Sequence, residues 1–468
     1  MKGIILSVVS LLLVVPVYVN AQAPDTLWTR IYGYDDVDEA WQLKETSDGG
    51  FIIVGFSQEN DDIYLLKTDE NGDTLWTSLL GFTSDDIGRS VEPLDDGGYI
   101  ITGYAGGYIV LMKTDSLGNH LWHHYFDYGW GRAVRVTNDG GFVIAGYTMF
   151  GVNSEQIFIA KTDGEGNLVW SRAYGGPNAE RAWDVRETPN GDFVVLGWTE
   201  SFGMGRSDIY VIKTDSNGDS LWTRTYGSDG TDEGRSLLLK EDGGLIIAGK
   251  IYAPGTYVNM AIISTDSNGD TIWTKIFPEG DYQVANSITA TSDGGYIFAA
   301  ISSGYPDISK ILKIDSNGDS LWCHTLEFPT QDLYCRSIIQ SSDGGYVIAG
   351  YSGYYSSLRD VFLCKLASDI VGVNDGTIRL PDQITLHQNY PNPFNANTTI
   401  SFTLLEPRNI MLSIYDLLGR KISVLADGYF DAGIHDITFD AGDLTSGIYF
   451  YNLKTGDISE TKSMILLK

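Results

Sequence analysis

The chain has 468 residues, 43% of them hydrophobic and 12% aromatic, enough to bury a large core and to build two domains. Its formal net charge is −30. Acidity on that scale argues against a nucleic-acid partner or an anionic lipid surface, because phosphate recognition needs clustered Lys and Arg.

Residues 1–21 read as a secretory signal peptide. Lys2 is a short positive leader, Ile4 to Val19 is almost wholly apolar, and Val19-Asn20-Ala21 offers small residues for cleavage. No later run is long and apolar enough to span a bilayer, so an exported chain without a membrane span is expected.

Over residues 22–368 one pattern recurs seven times. A turn of the type Asp-Gly-Gly stands at Asp48, Asp96, Asp139, Asn190, Asp242, Asp293 and Asp343, followed by an apolar run that in five of the seven copies ends in Gly plus an aromatic. A second run ends in Lys-Thr-Asp or a near variant. A polar turn such as Asp215-Ser216-Asn217-Gly218-Asp219 follows, and then Leu-Trp. The tryptophans, Trp28, Trp76, Trp122, Trp170, Trp222, Trp273 and Trp322, lie 46 to 52 residues apart. A strand-rich period of about 50 residues signals a propeller or solenoid. In the first copy, Ala40 to Thr46, Phe51 to Phe56, Asp62 to Lys67 and Leu75 to Leu80 are four extended runs between tight turns, which is one blade.

Eight residues before each turn the side chain is small (Ala40, Gly88, Gly131, Ala182, Gly234, Ala285, Cys335), as a crowded innermost strand requires. The seventh copy lacks its own Leu-Trp run, and an unpaired one stands near the start of the chain. Strand 26–32 is therefore expected to complete blade seven and remove the open edge. The region resembles bacterial seven-bladed propeller repeats that read Ala-Lys-Leu-Asp-x-x-Gly-x-x-Leu-Trp, as at Lys213 to Trp222. That resemblance implies a fold and no particular chemistry.

The three cysteines are expected to stay free. Cys335 and Cys364 fall two strands apart, roughly 9 to 10 Å at the usual strand spacing, beyond the reach of a disulfide.

Several residues invite a functional reading. Asp215, Asn217 and Asp219, like the turns at Asp69, Asp266 and Asp315, are weak calcium candidates. Their Gly stands at the fourth position and not at the sixth of an EF-hand, and an Asn-Gly hairpin needs no metal. A structural turn is expected, and no cofactor. The repeated tryptophans read as docking between blades in preference to sugar stacking. Seven residues before the turn stand Arg89, Arg132, Arg235 and Arg336, with Trp41, Trp183 and Asn286 in the other blades. A sialidase-like cluster is one reading of these arginines. Pairing with Asp38, Asp86, Glu180 and Asp232, three positions earlier, is the favoured one.

Two of the four connections in each repeat are short and uniform, and lie on one face. The other two vary and lie together on the opposite face, where binding usually resides. The residues put forward there are Tyr34, Asp36, Asp38, Asp86, Trp130, Asp232, Tyr282, Tyr305, Tyr354 and Tyr355. Their rings can stack on sugars or protein, and their carboxylates can accept hydrogen bonds from hydroxyls.

Residues 369–384, with Gly372, Asn374-Asp375-Gly376 and Pro381, read as a linker, and 385–468 as a second domain. Alternating runs between Gly, Asp and Asn turns suit a small antiparallel sandwich there. The domain carries Asn389-Tyr390-Pro391-Asn392-Pro393-Phe394, then Ile414 to Gly419-Arg420, then Gly447-Ile448-Tyr449-Phe450, and closes on Lys468. In order and spacing these closely resemble the type A sorting domain of type IX secretion. The resemblance implies an Ig-like sandwich recognised by the type IX machinery at the outer membrane of a Bacteroidetes-like, Gram-negative bacterium. It also implies a protein that is secreted or attached to the outer cell surface. Thr461-Lys462-Ser463 departs from the family, where a second basic residue is common.

The expected whole is all-β: a seven-bladed β-propeller followed by an Ig-like sandwich. The role that fits is non-catalytic recognition of a glycan or protein. The alternatives are a carbohydrate-active hydrolase or lyase using Asp38 with Asp86 or Asp232, and a structural surface or matrix protein. The sequence holds no Gly-x-Ser-x-Gly, P-loop or His-Glu-x-x-His.

Overall fold

The computed structural model describes Leu13–Val14 and the chain from residue 23 onward. Outside the described residues lie 34–36, 84, 151–153, 254–257, 278–281, 304–307, 327–331, 354–358, 370–383, 387–388, 390–393, 405–406, 417–419, 431–432, 443, 456–457 and 467–468. The leader at 1–21 and the linker at 369–384 therefore fall almost wholly outside them. Leu13–Val14 pairs in parallel with Lys275–Ile276. Every regular element among the described residues is a β-strand, and none of them contains a helix long and apolar enough to cross a membrane. The chain divides into two compact units, Met1–Asp369 and Ile370–Lys468.

In the first unit consecutive strands pair as antiparallel meanders of four. Asp38–Glu45, Phe51–Ser57, Asp62–Thr68 and Thr74–Leu80 form the first, from the innermost strand outward. The long strand His120–Val136 serves two meanders, pairing with Tyr108–Thr114 through its first half and with Phe142–Phe150 through its second. In the last meander, Leu333–Gln340, Tyr346–Ser352 and Asp360–Leu366 are completed by Thr26–Tyr32, with Trp28 opposite Lys365. Seven such four-stranded units occur among the described residues. The last packs on the first, because Val347, Ala349, Val361 and Leu363 share one buried core with Ala40, Leu43, Phe51 and Tyr64. The result is a closed, propeller-like ring.

The recurring words of the sequence are interlocking parts. In the Asp-Gly-Gly turn, Gly49 sits at φ +80°, where a side chain would be strained, and Asp48 accepts the N–H of Gly50 at 3.1 Å. Asp48 also meets Lys67 of the third strand at 2.9 Å; Asp139 meets Lys161 and Asp96 meets Lys113 in the same way. In the fifth blade Ser264 replaces that lysine, and Lys240 pairs with Asp242 instead.

The Trp motif docks each blade on the next. Trp170 packs its ring against Gly218 and donates its indole N–H to the Ser216 carbonyl at 3.1 Å. Arg172 faces Asp219 at 3.7 Å, and the Tyr174 hydroxyl donates to the Gly218 carbonyl. Trp222, Arg224 and Tyr226 repeat the set on Gly269 and Asp270. Trp28, Arg30 and Tyr32 carry it from the last blade to Gly72 and Asp73 of the first.

Cys323, Cys335 and Cys364 form no disulfide. Cys335 and Cys364 lie on either side of the Tyr346–Ser352 strand, and burial pushes them up to about 12 and about 11.

The second unit has two antiparallel sheets. Ile384–Leu386, Asn397–Leu404 and Gly433–Asp440 form one, and Lys421–Phe430, Arg408–Tyr415, Gly447–Thr455 and Ile458–Leu466 the other. Ile400, Phe402, Leu412, Tyr451, Leu453 and Leu466 are fully buried in a core that both sheets share. Of the motif residues, Asn389 is buried, its backbone N–H donating to the Tyr451 hydroxyl at 2.8 Å and its side chain to Thr398 at 2.9 Å. Phe394 is buried and bridges to Leu466, which also pairs with Gly447. Tyr390, Pro391, Asn392, Pro393, Gly419 and Lys468 lie outside the described residues.

Candidate functional site: the axial channel and its mouth

Each of the seven innermost strands slips register at one equivalent place, for example between Ala40 and Gln42, between Gly88 and Ser90, and between Cys335 and Ser337. The extra residue is Trp41, Arg89, Arg132, Trp183, Arg235, Asn286 or Arg336. A bulge leaves its extra residue unpaired and re-aims that side chain. All seven line one cavity of about 230 Å³ on the axis.

Inside it, arginines stack on indoles. The guanidinium carbons of Arg89 and Arg336 lie 3.5 and 4.6 Å from the Trp41 ring centroid, and those of Arg235 and Arg132 lie 4.0 and 4.3 Å from that of Trp183. Burial, and then the neighbouring Arg132 cation, push Arg89 well below the usual guanidinium range. Burial lowers Arg132 and Arg235 as well. Toward the Asp-Gly-Gly turns the channel is balanced by ion pairs. Glu92 meets Lys44 at 2.8 Å and Arg135 at 3.2 Å, and Asp184 meets Arg135 at 2.5 Å and Arg186 at 3.1 Å.

The pairing expected between the channel arginines and the acids three positions earlier does not form. Asp86 accepts the backbone N–H groups of Phe82 and Thr83 at 2.5 and 2.9 Å. Glu180 accepts that of Gly176 at 2.9 Å and the Thr199 hydroxyl at 2.8 Å. Asp232 accepts those of Ser228 and Tyr252 at 2.5 and 2.6 Å. The incoming loop presents its amides to these buried carboxylates, and Asp38 is equally buried. They fasten loops and do not line the axial cavity.

On the variable-loop side aromatic rings stack in pairs, Tyr351 being buried and Tyr104, Trp130 and Tyr334 half-buried. Tyr104 and Trp130 stack at 4.2 Å with an interplanar angle of 19°, and Tyr334 and Tyr351 at 4.8 Å and 23°. Charges run from the channel to this rim. Arg132 donates to the Tyr147 hydroxyl at 3.3 Å, and Arg181 lies over the same ring and pairs with Glu155. Arg336 donates to the Tyr351 hydroxyl at 2.8 Å. Tyr282, which is 38% exposed, accepts from Lys250 at 2.9 Å, and Lys250 shares Glu233 with Arg235.

Of the residues put forward for binding, the structure thus brings Trp130 and Tyr282 to the mouth and places Asp38, Asp86 and Asp232 beneath the loops. Tyr34, Asp36, Tyr305, Tyr354 and Tyr355 lie outside the described residues. Sequence reasoning missed Tyr104, Tyr147 and Tyr351. The signal was present, as the aromatic after the second-strand glycine in five of the seven copies, but it reads as part of the blade until the ring is closed. Among the turn candidates, Asp215 accepts the N–H groups of Asn217 and Asp219, each at 2.9 Å. Asp219 then faces Arg172 of the preceding blade.

Residues 388–467 match the family described as secretion system C-terminal sorting domain. The protein therefore carries a type IX sorting domain, engages that secretion machinery, and is exported to the extracellular space or the outer cell surface of a Bacteroidetes-type bacterium. No curated protein sequence matches the chain. Among solved structures, a novel fungal alcohol oxidase of the AA5 family in complex with copper is 12% identical, with a TM-score of 0.49, over 95% of this chain and 100% of that one. A protein of unknown function from Dyadobacter fermentans DSM 18053 is 10% identical, with a TM-score of 0.45, over 74% and 100%. Drosophila Plexin A in complex with Semaphorin 1b is 9% identical, with a TM-score of 0.45, over 74% and 88%.

Proposed function

We propose that the exported propeller is a non-catalytic recognition module that binds a glycan or protein through its variable-loop face, a glycan being the better fit. The observation that carries this reading is the pair of aromatic stacks, Tyr104 with Trp130 and Tyr334 with Tyr351, set beside arginines and carboxylates at the channel mouth. Flat rings offer stacking surfaces, and the flanking charges offer hydrogen bonds to hydroxyls. The hydrolase reading draws less support, because Asp86 and Asp232 accept two backbone N–H groups each. On this reading residues 1–21 are the export leader, and 385–468 deliver the propeller and take no part in binding.

The test is a panel of polysaccharides and glycoproteins incubated with the full chain, with retention and released products read from the same tubes. Saturable retention without products, weakened roughly tenfold by Trp130→Ala (about 1.4 kcal/mol), is expected. Product release would overturn the non-catalytic reading. The absence of any retention across the panel would favour a structural role.

A further inference from the structure

We propose that the axial cavity is a binding site for one small oxyanion, carboxylate, sulfate or phosphate, independently of what the mouth recognises. The cavity lining holds seven cationic side chains and one carboxylate, Asp184. Glu92 and Glu233 reach cations at its edges, and even with them the cations outnumber carboxylates seven to three. This concentration of positive charge sits inside a chain whose net charge is −30. Composition alone does not produce it. The bulge does, by turning an arginine inward in four blades.

Hydrogen bonding points the same way. Nε and Nη1 of Arg89, Nε of Arg132, Arg235 and Arg336, and the indole nitrogens of Trp41 and Trp183 are buried without an acceptor among the described residues. Buried charged donors are costly to leave unmet. The cation–π stacks offset part of that cost but accept no N–H. Burial lowers Arg89 most, and the repulsion by Arg132 that adds to it is relieved by a single anion placed between the forks. Guanidinium groups match planar or tetrahedral oxyanions through two parallel hydrogen bonds, which an isolated chloride cannot provide.

Size narrows the class. A cavity of about 230 Å³ has room for roughly eight waters' share of liquid. That admits an inorganic oxyanion or a single acidic sugar residue. The oxyanion could thus arrive free or as the carboxylate or sulfate of a glycan end, and the experiment separates these sources.

Calorimetric titration and thermal melts of the full chain would use sodium sulfate, sodium phosphate and sodium glucuronate, with sodium chloride holding ionic strength constant. Saturable one-site binding is expected, with a Tm that climbs with the logarithm of oxyanion concentration above Kd and does not respond to chloride. Response to sulfate or phosphate identifies a free oxyanion, and response to glucuronate alone identifies an acidic sugar. Arg89→Gln and Arg336→Gln should each weaken binding roughly tenfold or more. The exposed control Arg420→Gln, in the second unit, should leave it unchanged, and Arg89→Lys should keep part of it. Equal responses to oxyanion and chloride in the unmodified chain would overturn the proposal, as would an unchanged Kd in Arg89→Gln. The unmodified chain alone decides the matter if a ring variant does not fold.

Discussion

The hydroxyl of Ser337 accepts the backbone N–H of Leu43 at 3.3 Å, although 294 residues separate them. It closes a girdle of equivalent links around the axis. Gln42 accepts from Val91 at 2.7 Å, Ser90 from Val134 at 3.1 Å, Asp184 from Leu237 at 3.0 Å, Ser236 from Ile288 at 3.3 Å and Ser287 from Ile338 at 3.2 Å. Each acceptor stands just after a bulge, and each donor belongs to the next blade. The third blade has Ala133 at this place, and there Asp184 takes the Val185 N–H of its own blade at 2.9 Å.

Ser337→Ala is expected to lower stability by about 1 kcal/mol, the net worth of one buried hydrogen bond. The urea midpoint should fall while the m-value stays fixed, since the surface exposed on unfolding does not change. Identical midpoints would show that the link at the seam contributes nothing net.

Asp184 is the heaviest member of the girdle. It bonds two backbone N–H groups and two arginines while almost wholly buried. Burial alone would raise its carboxyl, but Arg135, then Arg186 and the two amides, hold it below the usual range. Asp184→Ala leaves Arg186 without a carboxylate and Arg135 with Glu92 alone, and should cost roughly 3–5 kcal/mol. A carboxyl depressed in the folded state stabilises fully above the unfolded value of about 4, and that stability is lost as pH falls. The gap between Asp184→Ala and the unmodified chain, measured by urea unfolding at several pH values, should therefore narrow on acidification. A constant gap would contradict the ionic assignment.

The strand pattern was legible because every repeat carries its own turn glycine, small axial residue and docking tryptophan. Gly88 is small because a Cβ there would come within 2.4 Å of the Val54 side chain and 2.9 Å of that of Ile63 in the preceding blade, a constraint that leaves a direct mark on composition. The site was less legible. Arg89 and Asp86 stand three apart in sequence, which suggested an ion pair, but a register slip at Arg89 leaves no local signal. It is a property of pairing with the second strand. The donors that occupy Asp86 and Asp232 are backbone amides, which any residue supplies. The rim aromatics Tyr104 and Tyr351 were visible but ambiguous, since the same residues would serve a buried blade contact.

Two glycine substitutions separate backbone strain from blade docking. Gly140 and Gly218 have nearly the same φ, +80° and +82°. A Cβ on Gly140 meets nothing within 4 Å, whereas one on Gly218 comes within 2.8 Å of the Trp170 ring. Gly140→Ala should cost about 1 kcal/mol of left-handed strain. Gly218→Ala should cost that and a further 1–3 kcal/mol of overpacking, together with a shift in tryptophan fluorescence. Equal costs would mean that the ring yields freely and that Trp170 does not lock the blades.

Carboxylates make opposite demands on pH in this fold. The Thr137 hydroxyl, working against partial burial and helped by Lys161, holds Asp139 down to about 2. Burial, with Asp232 nearby, pushes Asp208 up to about 6. The sign differs accordingly. Asp139 stabilises above the unfolded carboxyl value of about 4 and loses that contribution below it, whereas Asp208 favours its protonated form in the folded state and costs stability as pH rises through about 6. Thermal melts of the parent and of Asp208→Asn from pH 3 to 8 should therefore diverge as pH rises from about 4 to about 6. Asp208→Asn, which cannot ionise, should raise stability on the order of 1 kcal/mol at pH 7.5 and change little near pH 4. A variant that is no more stable than the parent at pH 7.5 would mean that loop amides already satisfy the Asp208 charge.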